Sequence, residues 1–121
     1  VNCETDFVAR NADFRAFVKD IAMHIAASDP LAVNAEDIPA EVLDKEKAIA
    51  EEQARAQGKP DKVIEKIVEG RLAKFRSENA LLDQPFVKDP EKPVRDYVSE
   101  IIARLGENVV IRRFVRFKLG E

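Results

Sequence analysis

The chain has 121 residues, 45% of them hydrophobic, which suits one domain around one core and leaves too little chain for two. Its 23 acidic and 20 basic residues give a net charge of −3, which argues against a protein whose main work is gripping nucleic acid electrostatically. A single cysteine, Cys3, excludes an internal disulfide, and together with the single histidine, His24, it cannot complete the usual four-ligand structural zinc site. No apolar run approaches the roughly 18 residues that span a membrane, and no signal-peptide profile precedes the domain. The expectation is a soluble, cytoplasmic protein. Val1 opens the chain inside an apolar-polar alternation, as though a strand had been cut from something longer.

That alternation puts Val1, Cys3 and Thr5 on one face, the pattern of a half-buried strand end. From Ala12 to Ala27 the residues Phe14, Phe17, Val18, Ile21 and Ile25 recur at helical intervals. Asn11 stands where an N-cap acceptor belongs, and Ser28-Asp29-Pro30 ends the helix because proline cannot donate and disfavours helical backbone before it. Pro39 opens a second helical stretch to Gln57, with Val42, Ile49 and Ala56 recurring at seven-residue intervals beside Leu43 and Ala50. Gly58-Lys59-Pro60 marks a tight turn. A third helix to about Ser77 then carries Ile64, Ile67, Val68, Leu72 and Phe75 on one face. Residues 40–78 are therefore predicted to form a projecting antiparallel coiled-coil helical hairpin. Gly70 inside it should cost about 1 kcal/mol relative to alanine unless close helix contact offsets the loss.

Residues 79–92, with Pro85 and Pro90, read as a loop pinned by Leu81, Leu82, Phe86 and Val87. Pro93 starts a helix with Val94, Tyr97, Val98, Ile101, Ile102 and Leu105 on its apolar face, and Gly106 stops it. Asn108 to Leu119 reads as a strand. Val109, Ile111, Val115, Phe117 and Leu119 share one face, Arg112, Phe114, Arg116 and Lys118 the other, and Arg113 breaks the alternation. The predicted class is α+β: the terminal strands pair in a small antiparallel sheet covered by helices. Two strands alone are marginal, so the sheet is expected to need an upstream strand or a second copy of the chain.

Little of this resembles an active site. Glu4, Thr5 and Asp6 beside Cys3 form the tightest polar group, yet no second carboxylate-rich loop is placed to complete a metal shell. A thiol nucleophile needs a base, and the only histidine lies on the helix; Cys3 reads instead as a small buried hydrophobe. The usual account of His24, on the edge of the apolar stripe beside Met23, is a partly buried ring satisfying a local hydrogen bond. The basic strand face around Phe114 resembles single-strand nucleic-acid binders, but one strand on a net-acidic chain favours a protein-facing surface. No glycine-rich phosphate loop occurs. Phe7, at the corner where strand gives way to helix, either packs into the core or points outward as an anchor, and the residue pattern does not separate the two.

The run Asn2-Cys3-Glu4-Thr5-Asp6-Phe7-Val8-Ala9-Arg10-Asn11 closely resembles the signature of the elongation factor Ts family. Further matches follow in family order: Ile21-Ala22-Met23-His24-Ile25-Ala26-Ala27, Gly58-Lys59-Pro60, Ile67-Val68-Glu69-Gly70-Arg71-Leu72 and Gln84-Pro85-Phe86-Val87-Lys88-Asp89. The resemblance implies a guanine-nucleotide exchange factor, not an enzyme and without a cofactor or bound metal, whose partner is elongation factor Tu in its GDP and nucleotide-free forms. It implies that Thr5, Asp6, Phe7 and Val8 enter the partner's G domain, with Phe7 wedging between helices and Asp6 perturbing the Mg²⁺ surroundings. The helix bearing Met23 and His24 would lie against the partner, and residues 40–78 would be the family's protrusion. By the same resemblance, residues 1–121 are the core and dimerisation domain of a short form. Its N-terminal helical domain and first strand are absent from these residues, and copies pair through their sheets. Some short members carry a cysteine near the end of the last strand, where Val115 stands here. No membrane and no direct nucleic-acid contact are expected. The alternatives are a dimerisation module without exchange activity, or an RNA-binding module using the basic C-terminal strand.

Overall fold

The computed structural model describes residues 1–120. A short strand β1 (Asn2–Cys3) leads into a one-turn helix α1 (Asp6–Ala9) and the long helix α2 (Ala12–Ser28). Helices α3 (Ala40–Ala56) and α4 (Asp61–Asn79) follow, then β2 (Pro85–Phe86), β3 (Asp89–Pro93), α5 (Val94–Leu105) and β4 (Val109–Val110). Single 3₁₀ turns at Ala35–Asp37 and Leu81–Asp83 flank the α3/α4 pair. The α+β reading holds: among the described residues five α-helices are combined with short antiparallel strand pairs. No helix among the described residues is long and apolar enough to cross a membrane.

Helix boundaries follow local chemistry. Asn11 caps α2 by accepting from the Asp13 N–H at 2.7 Å, satisfying one of the first free donors. Asp29 ends α2 in the left-handed region at φ 46°, a conformation aspartate tolerates better than most L-residues. Gly106 ends α5 at φ 72°, where only glycine is free of a Cβ penalty.

The apolar face of α2 (Phe14, Phe17, Ile21, Ile25) meets Val94 and Ile101 of α5, with Leu81, Phe86, Val109 and Ile111 closing the main core. The hairpin has its own, separate seam, Ala50 and Ala54 against Ile64 and Val68, in which small residues let the two helices approach. Arg71 reaches across to donate to Gln53 Oε1. Open space surrounds the Gly70 Cα, so no close contact there offsets the helix penalty. The hairpin's base is tied down by backbone bonds: Leu31 N–H to the Asn79 carbonyl and Leu81 N–H to the Ala32 carbonyl, both 2.8 Å.

Two strand predictions are corrected. The terminal strands do pair antiparallel, Asn2 opposite Val110 and Cys3 opposite Val109, but β4 covers two residues, not the predicted 108–119. Among the described residues the ladder ends at Asn2 opposite Val110, and extended chain without a ladder is not held as a strand. Arg113 adds a charge on the apolar side. The predicted loop 79–92 holds β2 and all of β3 but Pro93, with an irregularity between Pro85 and Phe86. Its prolines are compatible with pairing because a two-stranded ribbon is all edge and a missing donor can face outward.

Tyr97 joins these parts. Its ring stacks on Phe86 at 4.4 Å between centroids and tilts against Phe17 at 5.2 Å. Its hydroxyl donates to Asp20 Oδ2 at 2.8 Å, while Lys88 Nζ sits 2.7 Å from Asp20 Oδ1. Burial pushes the Asp20 carboxyl up, but the bonds from Lys88 and Tyr97 outweigh it and hold the group below the usual carboxylate value. Burial first, then the bond to Asp20, pushes the Tyr97 phenol up to about 12. A raised phenol value means that the stabilisation is complete below the unfolded tyrosine value near 10 and is lost as pH rises toward 12. As Tyr97 is the only tyrosine, ultraviolet titration reads it alone. The native midpoint is expected near 12, falling in Asp20→Asn and to about 10 in strong urea.

Candidate protein-binding site

The turn Thr5–Val8 is built from three anchors. Thr5, in extended conformation, is the N-cap of α1, its Oγ1 accepting from the Val8 N–H at 3.4 Å. Val8 is half-buried and packs on the main core. Glu107, in the loop between α5 and β4, supplies the third. Its Oε1 accepts from the backbone N–H of Glu4 at 2.9 Å and of Thr5 at 3.0 Å, and its Oε2 accepts the Thr5 hydroxyl at 3.0 Å. A four-residue helix cannot sustain itself in water, since one turn fixes more backbone freedom than its hydrogen bonds return. External anchoring is what makes this turn a defined shape.

With Val8 turned inward, Phe7 is left 82% exposed. Phe7 is therefore no part of the core and points outward. Asp6 occupies the first turn of α1, where its charge suits the helix dipole. Its ion pair with Arg10 at 3.6 Å joins two exposed side chains and contributes little to stability. Cys3 is half-buried and its thiol donates to the Thr5 carbonyl at 3.3 Å. Among the described residues no three His, Cys, Asp or Glu side chains gather as a metal-binding group.

Met23 and His24 lie in the C-terminal half of α2, about three turns beyond its first residue, Ala12. The helical step separates them: Met23 is 41% exposed and His24 is 0% exposed. His24 Nδ1 accepts the Val87 N–H at 3.2 Å, which leaves Nε2 to donate to Gln84 Oε1 at 2.9 Å. This assigns the neutral Nε2–H tautomer. Gln84 in turn donates to the Glu78 carbonyl at 2.8 Å and the Ser28 carbonyl at 3.4 Å. Both ring nitrogens of His24 are spent on the segment 84–87 in the free protein, and the exposed residue of the pair is Met23.

The C-terminal segment is not an open alternation of cations and aromatics. Arg116 folds back on α2, with Nη1 3.4 Å from Asp29 Oδ1 and Nη2 donating to the Ala26 carbonyl at 3.3 Å. Phe114 packs against the main core. Val115, Phe117 and Leu119 are exposed.

Glu107 was not a candidate in the sequence. The signal lies in the register: Cys3 opposite Val109 sets Thr5 opposite Glu107 two residues beyond the ladder.

A family model described as Elongation factor TS matches residues 15–121. The chain is 60% identical over all its 121 residues to elongation factor Ts of Caldanaerobacter subterraneus subsp. tengcongensis, covering 60% of that protein. It is 58% identical to the elongation factor Ts of Geotalea uraniireducens and 59% identical to that of Acetivibrio thermocellus, in both cases over the whole chain and 56% of the relative. The chain thus spans little more than half the length of these curated relatives. The Thr5–Val8 turn lies outside the span of the family model and inside the span shared with the relatives.

Proposed function

Because the chain belongs to the elongation factor Ts family of translation elongation factors, we propose that it is a guanine-nucleotide exchange factor that binds elongation factor Tu·GDP and promotes GDP release. The observation that carries the reading is Phe7, a large aromatic side chain held 82% exposed on a turn that is anchored on both sides. A monomer gains nothing from such an arrangement, whereas buried aromatic anchors dominate protein interfaces.

The mechanism needs no bond chemistry. A protein that binds nucleotide-free elongation factor Tu better than the GDP form must, by linkage, weaken GDP by the same factor. Phe7 enters between partner helices, Asp6 brings its carboxylate toward the Mg²⁺ surroundings of the bound nucleotide, and Met23 offers a flexible apolar contact from α2. His24 supports that surface from inside by holding residues 84–87. Residues 1–121 act in the cytoplasm as the core domain, with 40–78 as its protrusion. The test is the rate at which fluorescent GDP leaves elongation factor Tu when the protein is added; faster release supports the reading.

A second reading, a dimerisation module, is favoured by the exposed Val115, Phe117 and Leu119 beyond β4. Dimerisation as such is compatible with exchange, since that surface and Phe7 use different residues; a dimerisation module without exchange activity would leave GDP release at its spontaneous rate. A homodimer through the sheet would give the unpaired segment after Val110 a ladder.

A further inference from the structure

We infer that Glu107 is the positioning residue of the exchange site: its carboxylate clamps the Thr5–Val8 turn in the one orientation that presents Phe7 and Asp6. The inference deepens the proposed function and rests on it for its consequence in exchange, though the clamp itself is a property of the free protein.

The geometry is specific. One carboxylate oxygen receives two successive backbone donors, Glu4 N–H and Thr5 N–H, and the other receives the Thr5 hydroxyl, all between 2.9 and 3.0 Å. Bonds to an ionised acceptor are stronger than neutral ones. The Thr5 hydroxyl spends its proton on Glu107 and keeps a lone pair for the Val8 N–H. Glu107 therefore decides which way the N-cap oxygen faces, and through it where α1 begins. The 3.4 Å cap bond is long, so α1 owes its position less to its own cap than to the clamp before it.

The position of Glu107 is determined in turn. Gly106 closes α5 in the left-handed conformation and turns the chain, and the Cys3–Val109 pair then holds the next residues antiparallel to the approach to α1. The carboxylate is half-buried and makes no ion pair within 4 Å among the described residues. Its three bonds all go to Glu4 and Thr5, as befits a group that orients backbone.

The test compares the protein with Glu107→Ala, Glu107→Gln and the double variant Thr5→Val/Glu107→Ala. Amide ¹⁵N relaxation of residues 6–9 reads the clamp in the free protein, and fluorescent-GDP release from elongation factor Tu reads its use. The turn is expected to be as rigid as α2 in the parent and loosened in Glu107→Ala, with GDP release down about tenfold. Glu107→Gln keeps an acceptor for both N–H groups and is expected to lie between. Thr5→Val should add little once Glu107 is gone, because the two act as a unit. An ordered turn in Glu107→Ala overturns the inference whatever the exchange rate. A loosened turn with undiminished release overturns its consequence for exchange. If the parent itself releases no GDP, the exchange reading fails, and the relaxation data still decide the clamp.

Discussion

Phe7→Ala is expected to reduce stimulated GDP release from elongation factor Tu on the order of a hundredfold, while the melting temperature moves by no more than about 2 °C. The magnitude follows from interface energetics. Truncating an aromatic anchor costs about 2–4 kcal/mol, and each 1.4 kcal/mol is a factor of ten. The small stability effect follows from exposure: a side chain 82% open to solvent in the free protein loses almost no burial when shortened. Stopped-flow release and a thermal melt on the same preparation read both halves. The opposite pattern, a large fall in melting temperature with unchanged release, would return Phe7 to the core.

The largest stability loss among the site residues is expected for His24→Ala, about 3 kcal/mol or more by urea denaturation. Three terms act together. The fully buried ring leaves a cavity. Gln84, itself 3% exposed, loses the donor to its Oε1, and the Val87 N–H loses its acceptor. The buried Gln84 group left unsatisfied costs about 1–3 kcal/mol, and the part-buried Val87 N–H less. His24→Asn places an oxygen near Nδ1 and can keep the Val87 bond but cannot reach Gln84, so an intermediate loss is expected. A loss below about 1 kcal/mol in His24→Ala would mean that the ring is not holding segment 84–87.

Much of the architecture is legible where the information is local. Asn11, Gly106 and the stripes of α2 and α5 specify those helices from neighbouring residues alone, and Gly58-Lys59-Pro60 marks the turn between α3 and α4. His24 sits seven residues after Phe17, so the stripe itself points to the burial that is found. What was not legible depends on distant pairing. Alternation from Asn108 to Leu119 is real, yet a strand exists only where a partner donates and accepts, and β1 supplies two residues. The four-residue α1 is too short to carry a periodic signal. Phe7 was undecided because its direction depends on Val8 turning inward and on Glu107, about a hundred residues away in sequence. Glu107 itself is one of 23 acidic residues, and only the register opposite Thr5 distinguishes it.

The decisive experiment is release of fluorescent GDP from elongation factor Tu into excess unlabelled GDP, with this protein added in substoichiometric amount. Release many times faster than the spontaneous rate, with each molecule serving several partners in turn, is the outcome that the proposed exchange function predicts. Release at the spontaneous rate, from protein that is folded and has the Thr5–Val8 turn ordered, would contradict it.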